Sequence, residues 1–251
     1  FGVIQSLWMR TFARFVRGQD ILTRYTELFL SQYPRVVQAG PFKGMKYVDK
    51  AIGSSYLHKL VGSYEAILHP YIETLRNKQF DTVIDIGSAE GYYLIGFGRM
   101  FPQSKLIGFE LEEKGRELSK ELYGKNNLTN KLTLLGKATK ENVAPLITEK
   151  TLLICDCEGG EVDILDIENF PMFKKIDTAI IELHDFIRPN IKEALIERFK
   201  DTHTIMIILF ALALSKDFPF FASITDQKDL YELRRERGWQ EQEWMILEKK
   251  K

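Results

Sequence analysis

The chain has 251 residues, enough for one α/β domain with an added segment or for two small domains. Hydrophobic residues make up 45% and charged residues 28%, which are ordinary values for a globular protein. The 35 basic and 35 acidic residues cancel, so no global positive field exists and we expect no nucleic-acid partner. The longest apolar run, residues 205–214, is about half a membrane span, so we expect no stable insertion into a membrane.

The pattern of apolar residues in the N-terminal quarter of the chain predicts mostly helix. Apolar side chains recur at helical spacing over residues 1–33, and Pro34 ends the pattern. Turn signals then lead to a short strand candidate at residues 45–48, and a further helix is predicted at residues 63–77 with Ser63 as its N-cap. We therefore divide the chain into an N-terminal helical extension with a short strand, residues 1–62, and a second domain, residues 63–251.

From Phe80 onward, apolar β-branched runs alternate with helical segments. This alternation is typical of a parallel sheet with helices on both faces, and the near-continuous apolar strands support burial on both sides. Strands are predicted at residues 82–86, 105–109, 132–135, 152–155, 179–183 and 204–210, with a last edge strand at 244–247. Helices are predicted at residues 92–100, 113–123, 140–148, 163–169, 191–199 and 227–237.

A glycine loop follows the first of these strands. The chain passes from Val83 through Asp85, Gly87 and Gly91 to a helix start at Tyr92. Glycine permits a tight turn and a close approach of the backbone to a ligand. The spacing Gly-x-x-x-Gly lacks the dinucleotide fingerprint Gly-x-Gly-x-x-Gly. Asp85 would repel a pyrophosphate but would favour a sulfonium, so the loop indicates a methionine-type cofactor.

An acidic residue, Glu110, follows the second strand. An acid at the end of this strand, about 20 residues beyond the glycine loop, can accept hydrogen bonds from both hydroxyls of a ribose. Taken alone, the glycine loop could be a plain turn, and Glu110 could be an ordinary surface carboxylate. Their order and spacing together favour a cofactor site.

The stretch from Phe80 to Leu247 resembles the class I S-adenosylmethionine-dependent methyltransferases, with the glycine loop as their motif I. The resemblance implies a Rossmann-like α/β fold with a mostly parallel seven-stranded sheet, and S-adenosyl-L-methionine as the cofactor. It implies that Asp85 lies near the methionine part, Glu110 at the ribose and the loop containing Ala138 at the adenine. The cofactor-binding residues expected on this basis are Asp85, Gly87, Ser88, Gly91, Tyr92, Glu110, Leu111, Ala138 and Asp156.

The fourth strand ends in an acidic run, residues 155–163. Ligands of open α/β sheets bind at the carboxyl ends of the strands, so Asp156 is expected beside the transferred methyl group. Asp156, Glu158, Gly159 and Glu161 match the Asp-x-Glu-Gly-x-Glu signature of FkbM-like methyltransferases, which this run resembles. Many members of that family act on hydroxyl groups. An acidic helix start is the alternative, because carboxylates are favoured at a helix N-terminus.

The fifth strand leads into Glu182, His184 and Asp185. His184 is predicted to act with Asp156 in catalysis, as a general base with a pKa near neutrality that takes the proton of a substrate hydroxyl. A divalent cation held by His184, Asp156 and Asp185 would polarise the hydroxyl instead. A histidine that only orients its loop is the third alternative. The cofactor we predict is S-adenosylmethionine, without a metal ligand set.

The function predicted from these residues is O-methylation of a small molecule or sugar hydroxyl. The alternatives are N-methylation and a module that binds S-adenosylmethionine without chemistry. The apolar faces of the N-terminal extension favour either a cover over the substrate side or a homodimer through that segment. Cys155 and Cys157 are spaced too closely for an ordinary disulfide, so we expect them to be reduced and the protein to be cytoplasmic.

Overall fold

The computed structural model describes residues 18–209, 211–212, 215–234 and 243–251. Within them, seven strands form one sheet in the order β3-β2-β1-β4-β5-β7-β6. Five strands pair in parallel, while β7 pairs antiparallel with both β5 and β6. The strands are β1 (Thr82–Ile86), β2 (Lys105–Phe109), β3 (Leu132–Leu135), β4 (Thr151–Cys155), β5 (Thr178–Leu183), β6 (His203–Leu209) and β7 (Glu243–Lys249).

Helices and short 3₁₀ turns connect and flank the strands. Residues 18–32 form α1. The other α-helices are α2 (Tyr56–Val61), α3 (His69–Thr74), α4 (Tyr92–Met100), α5 (Glu113–Lys125), α6 (Lys140–Val143), α7 (Glu161–Ile164), α8 (Ile191–Phe199), α9 (Pro219–Ala222) and α10 (Gln227–Leu233).

The sheet buries both of its faces. Because side chains alternate along a strand, Ile84 and Ile86 of β1 point to one face, where they join a core that also contains Leu195 and Phe199 of α8. On the other face, a Cβ added at Gly108 of β2 would meet Leu94 of α4, so that helix packs directly on the strand. Every residue of β1, β4 and β5 is buried, as expected for central strands covered on two sides.

The chain folds into two compact units. Of the described residues, the larger unit contains 51–53, 67–209 and 243–251, and with them the whole sheet. The smaller unit contains residues 18–50, 54–66, 211–212 and 215–234. This division differs from the predicted one, because it groups residues 211–212 and 215–234 with the N-terminal segment. The predicted domain limits, 1–62 and 63–251, remain a prediction.

The smaller unit is held by aromatic packing and by an ion pair. The ring of Phe29 stacks on Tyr33 at 5.0 Å and meets Phe220 edge-on at 5.1 Å between centroids. The guanidinium of Arg24 forms an ion pair with Asp229. These interactions tie α1 to α9 and α10, which lie far from α1 in the sequence.

Three predicted elements differ from the structure. The predicted edge strand at 244–247 is β7, but it lies between β5 and β6, so the edge prediction is wrong. The predicted helix at 63–77 is broken into two 3₁₀ turns around α3, which carries a proline in its first turn. The strand predicted at 45–48 is only an isolated bridge between Val36 and Lys46.

Other predicted bounds agree closely with the structure. Helices α4 and α8 have the predicted limits of 92–100 and 191–199. The helix predicted at 1–33 is present over residues 18–32, and its first 17 positions lie outside the described residues. Phe210, the last residue of the predicted sixth strand, also lies outside them.

Candidate active site

The loop between β1 and α4 has a backbone that only small residues tolerate easily. Gly87 and Gly91 have φ angles of +82° and +93°. A Cβ at Gly87 would lie 1.7 Å from the carbonyl oxygen of Asp156, and one at Gly91 would lie 2.6 Å from Oγ of Ser119. The first clash shows that the loops after β1 and β4 touch through their backbones. The predicted glycine positions are therefore required by close approach as well as by turn geometry.

Glu110 lies against this glycine loop. Its Oε2 accepts a hydrogen bond from the backbone N–H of Ala89 at 2.9 Å, and its Oε1 accepts one from Glu112 at 2.8 Å. A carboxylate offers about four acceptor positions, so both oxygens keep capacity for further donors. A Cβ at Gly115 would lie 2.7 Å from Cγ of Glu110, so the backbone of α5 packs closely against this side chain.

Asp85 stabilises the start of α4. Its Oδ2 accepts a hydrogen bond from the backbone N–H of Leu94 at 3.0 Å, and the residue is buried. This amide belongs to the first turn of the helix, where N–H groups lack partners within the helix and a carboxylate is favoured. Asp85 thus holds the loop in its conformation.

The other predicted cofactor residues occupy different environments. Ser88 and Tyr92 are buried, and Oγ of Ser88 has no hydrogen-bond partner among the described residues. Leu111 is 71% exposed beside Glu110 in the sequence. Ala138 is half-buried and packs against the hydrophobic core. Leu111 is the predicted residue that presents the largest free apolar surface at this end of the sheet.

The loop after β4 brings Asp156 and Glu158 to the carboxyl edge of the sheet. The backbone N–H of Asp156 donates to the carbonyl of Ile86 at 2.9 Å, which fixes the loop next to the end of β1. Glu158 has a positive φ of 55°, and its side chain is 72% exposed. Cys155 and Cys157 flank Asp156 as free thiols, with their Sγ atoms 3.6 Å apart.

His184 follows β5 and is surrounded by carboxylates. Its Nδ1 lies 2.7 Å from Oε1 of Glu161, and its side chain is only 1% exposed. Its Nε2 lies 3.5 Å from Oδ1 of Asp156 and 3.6 Å from Oε2 of Glu158. We refer to Asp156, Glu158, Glu161, Glu182 and His184 as the histidine cluster.

The surroundings of the histidine cluster shift the pKa values of His184 and Glu161. Burial by itself lowers the pKa of His184, but the hydrogen bond to Glu161 and the neighbouring carboxylates outweigh it and raise the pKa above its ordinary value. Burial raises the pKa of Glu161, but the hydrogen bond from His184 and two backbone hydrogen bonds lower it overall. The 2.7 Å contact between the two side chains contributes to both shifts.

Comparisons with known proteins add a fold assignment to this geometry. No family model matches the chain, and no curated protein sequence matches it. Precorrin-6y C5,15-methyltransferase from Geobacter metallireducens GS-15 is a similar solved structure, with 12% identity, a TM-score of 0.51 and coverage of 87% of this chain and 100% of that chain. A human methyltransferase 10 domain containing protein has 12% identity, a TM-score of 0.53 and coverage of 93% and 97%. A delta-N METTL16 MTase domain has 13% identity, a TM-score of 0.53 and coverage of 93% and 98%.

The chain has the Rossmann-like methyltransferase fold. The predicted α/β fold with a mostly parallel seven-stranded sheet is therefore confirmed. Identities of 12–13% show the fold alone.

The structure changes the set of residues predicted around His184. Asp185, the second carboxylate of the predicted cation site, accepts a hydrogen bond from the backbone N–H of Lys192 at 3.1 Å, at the start of α8. Glu158 takes its place beside Nε2. Sequence reasoning also gave no role to Glu182, whose Oε1 lies 3.9 Å from the same nitrogen. The signal for Glu182 was its spacing, because residues two apart on a strand share one side.

Proposed function

We propose that the protein is an S-adenosylmethionine-dependent methyltransferase that methylates a hydroxyl group of a small molecule or sugar. The observation that carries the proposal is the position of Glu110, whose carboxylate hydrogen-bonds the glycine loop at the carboxyl end of the sheet. An acid at this position can accept hydrogen bonds from the two hydroxyls of a ribose. The fold supports the same conclusion.

The loop chemistry favours a sulfonium cofactor over a dinucleotide. A pyrophosphate needs a glycine-rich loop without negative charge nearby, whereas buried carboxyl residues stand here at the end of β1 (Asp85) and in the loop (Glu90). A positively charged sulfonium is compatible with both carboxylates. We assign the cofactor to the side of the loop bounded by Glu110 and Asp156, with Gly87, Ser88, Gly91, Tyr92, Leu111 and Ala138 around it.

The acceptor is assigned to oxygen because of the histidine cluster. Methyl transfer from a sulfonium gains up to roughly 7–11 kcal/mol from in-line positioning, so the enzyme needs chiefly a shaped site and a way to manage one proton. Asp156 and His184 lie 3.5 Å apart at the ends of β4 and β5, where such a group is needed. The motif Asn/Asp-Pro-Pro-Tyr, associated with amino-group methylation, is absent after β4, where the sequence is Asp156-Cys157-Glu158-Gly159.

A methyl-transfer assay with labelled S-adenosylmethionine tests the proposal. We expect label to reach hydroxyl acceptors from a panel of sugars and phenols, and matched amines to stay unlabelled. Transfer to amines alone would contradict the oxygen assignment while leaving the cofactor assignment in place. A folded protein that fails to bind S-adenosylmethionine would contradict both.

A further inference from the structure

We propose that Asp156, Glu158 and His184 form a divalent-cation site at the carboxyl edge of the sheet. Its ligand atoms are Nε2 of His184 and one carboxylate oxygen from each acid. The site itself is independent of the proposed function. Only its role in methyl transfer, which is to bind and polarise the acceptor oxygen, rests on that function.

The distances between the three ligand atoms suit a single ion. All three lie within 4.8 Å of one another, with Nε2 at 3.5 Å from Oδ1 of Asp156 and 3.6 Å from Oε2 of Glu158. Two ligands bound at about 2.1 Å lie roughly 3.0–3.5 Å apart when they subtend an octahedral or tetrahedral angle at the metal. The observed separations therefore need little adjustment to receive an ion.

Two of the three proposed ligand atoms are buried and have no hydrogen-bond partner of their own in the described part of the chain. Among the described residues, neither Nε2 of His184 nor Oδ1 of Asp156 makes a hydrogen bond, although both atoms are shielded from solvent. Buried polar atoms in folded proteins are normally satisfied, so such a pair needs an explanation. The two atoms lie 3.5 Å apart, so one shared cation would satisfy them together.

Glu161 completes the arrangement from the other side of the imidazole. The 2.7 Å contact places its carboxylate where it accepts the Nδ1–H of His184, which directs the lone pair of Nε2 toward Asp156 and Glu158. Metal-binding histidines generally donate their other ring N–H to a carboxylate or carbonyl in this way. A lone pair facing two carboxylates is repulsive until a positive charge lies between them.

The ligand types and charges indicate the class of ion. One imidazole nitrogen and two carboxylate oxygens suit Mn²⁺, Fe²⁺ or Zn²⁺ better than a purely oxygen-bound ion. The two carboxylates balance the charge of one divalent ion, and Oε1 of the buried Glu182 lies 3.9 Å from Nε2. Three protein ligands leave positions open for water or for an acceptor oxygen.

The test is a titration of the chain with Mn²⁺ alone, in which electron paramagnetic resonance measures the concentration of free Mn²⁺. We expect the wild-type chain to bind one Mn²⁺ saturably, without any cofactor. Glu158→Gln should bind at least about 10-fold more weakly, and Glu161→Gln about 10- to 100-fold more weakly. Since the side chain of Glu158 is 72% exposed, Glu158→Gln is expected to fold. Glu168→Gln, which changes another exposed carboxylate, is the matched control and should bind as the wild type does.

Two results would overturn the proposal. One is a folded wild-type protein that binds no Mn²⁺ up to millimolar concentration. The other is binding that Glu158→Gln and Glu168→Gln leave equally unchanged. S-adenosylmethionine affinity is measured on the same samples without metal, so failure of the cation site and failure of the methyltransferase assignment give different results.

Discussion

At the scale of single residues, Gly87 sets how closely the loops after β1 and β4 approach. We expect Gly87→Ala to destabilise the protein by more than the roughly 1–3 kcal/mol of backbone strain at its positive φ, because its Cβ would also clash with a carbonyl oxygen at 1.7 Å. Urea unfolding measures the change. Gly124→Ala in α5, where an added Cβ meets nothing within 4 Å, is the control and should be neutral or stabilising by up to about 1 kcal/mol. Equal unfolding midpoints for Gly87→Ala and the wild type would contradict this account of the loop.

Glu110 is the single residue on which the proposed cofactor site depends most. Glu110→Gln keeps one acceptor oxygen but removes the charge that strengthens hydrogen bonds to ribose hydroxyls. Hydrogen bonds to charged groups contribute about 1.5–3 kcal/mol, so S-adenosylmethionine should bind about 10- to 100-fold more weakly. Calorimetry on Glu110→Gln checks this, with the exposed Glu113→Gln as the control that should keep wild-type affinity. Unchanged affinity in folded Glu110→Gln would remove Glu110 from the ribose site.

The sequence located some of these residues and missed others for a physical reason. Asp85, Glu110, Asp156 and His184 each end a strand in a mostly parallel sheet, and parallel strands bring their carboxyl ends to one edge. The role of Glu161 depends on a contact across 23 residues of chain, which local spacing does not encode. Asp156 and His184, which the sequence predicts to act together, have their nearest side-chain atoms 3.5 Å apart.

At the scale of elements, α2 contains a buried histidine that should make stability depend on pH. Burial lowers the pKa of His58 to about 4, although the hydrogen bond to the carbonyl of Leu233 partly opposes the shift. The unfolded chain has an ordinary value near 6.5, so it binds the proton more readily than the folded chain between these values. Stability is therefore fully present above about pH 6.5 and falls as the pH drops toward 4, by up to about 3 kcal/mol.

Urea unfolding between pH 4.5 and 7.5 measures this contribution. We expect the wild type to lose more stability across the range than His58→Gln, which has no imidazole to protonate at this position. Parallel pH profiles for the two proteins would show that His58 does not titrate as its burial requires.

The element bounds show what periodicity can and cannot predict. Helices α4 and α8 were predicted with their observed limits, because their helical patterns fill the short segments between two strands. The predicted helix at 63–77 failed because Pro70 interrupts it. Strand β7 was predicted as a strand but not as an interior one, since its partners β5 and β6 are set by pairing distant in sequence.

At the scale of the whole molecule, the strand order places the ends of β1, β2, β4 and β5 beside one another. Apart from Ala138, the residues proposed to bind the cofactor lie at or just after the ends of these strands, on the loop between β1 and α4, or at the first residue of α4. The described residues contain no helix with the length and apolar character needed to cross a membrane. The homodimer through the N-terminal segment and the cytoplasmic location remain predictions.

Calorimetric titration of the wild-type chain with S-adenosylmethionine, and separately with a nicotinamide dinucleotide, tests the central assignment. The glycine loop, Asp85 and Glu110 predict binding of S-adenosylmethionine at micromolar concentration, which corresponds to about −8 kcal/mol. They predict no binding of the dinucleotide, because the loop lacks the dinucleotide fingerprint and buried acids lie in it and just before it. Binding of the dinucleotide without binding of S-adenosylmethionine, in a folded sample, would contradict the account.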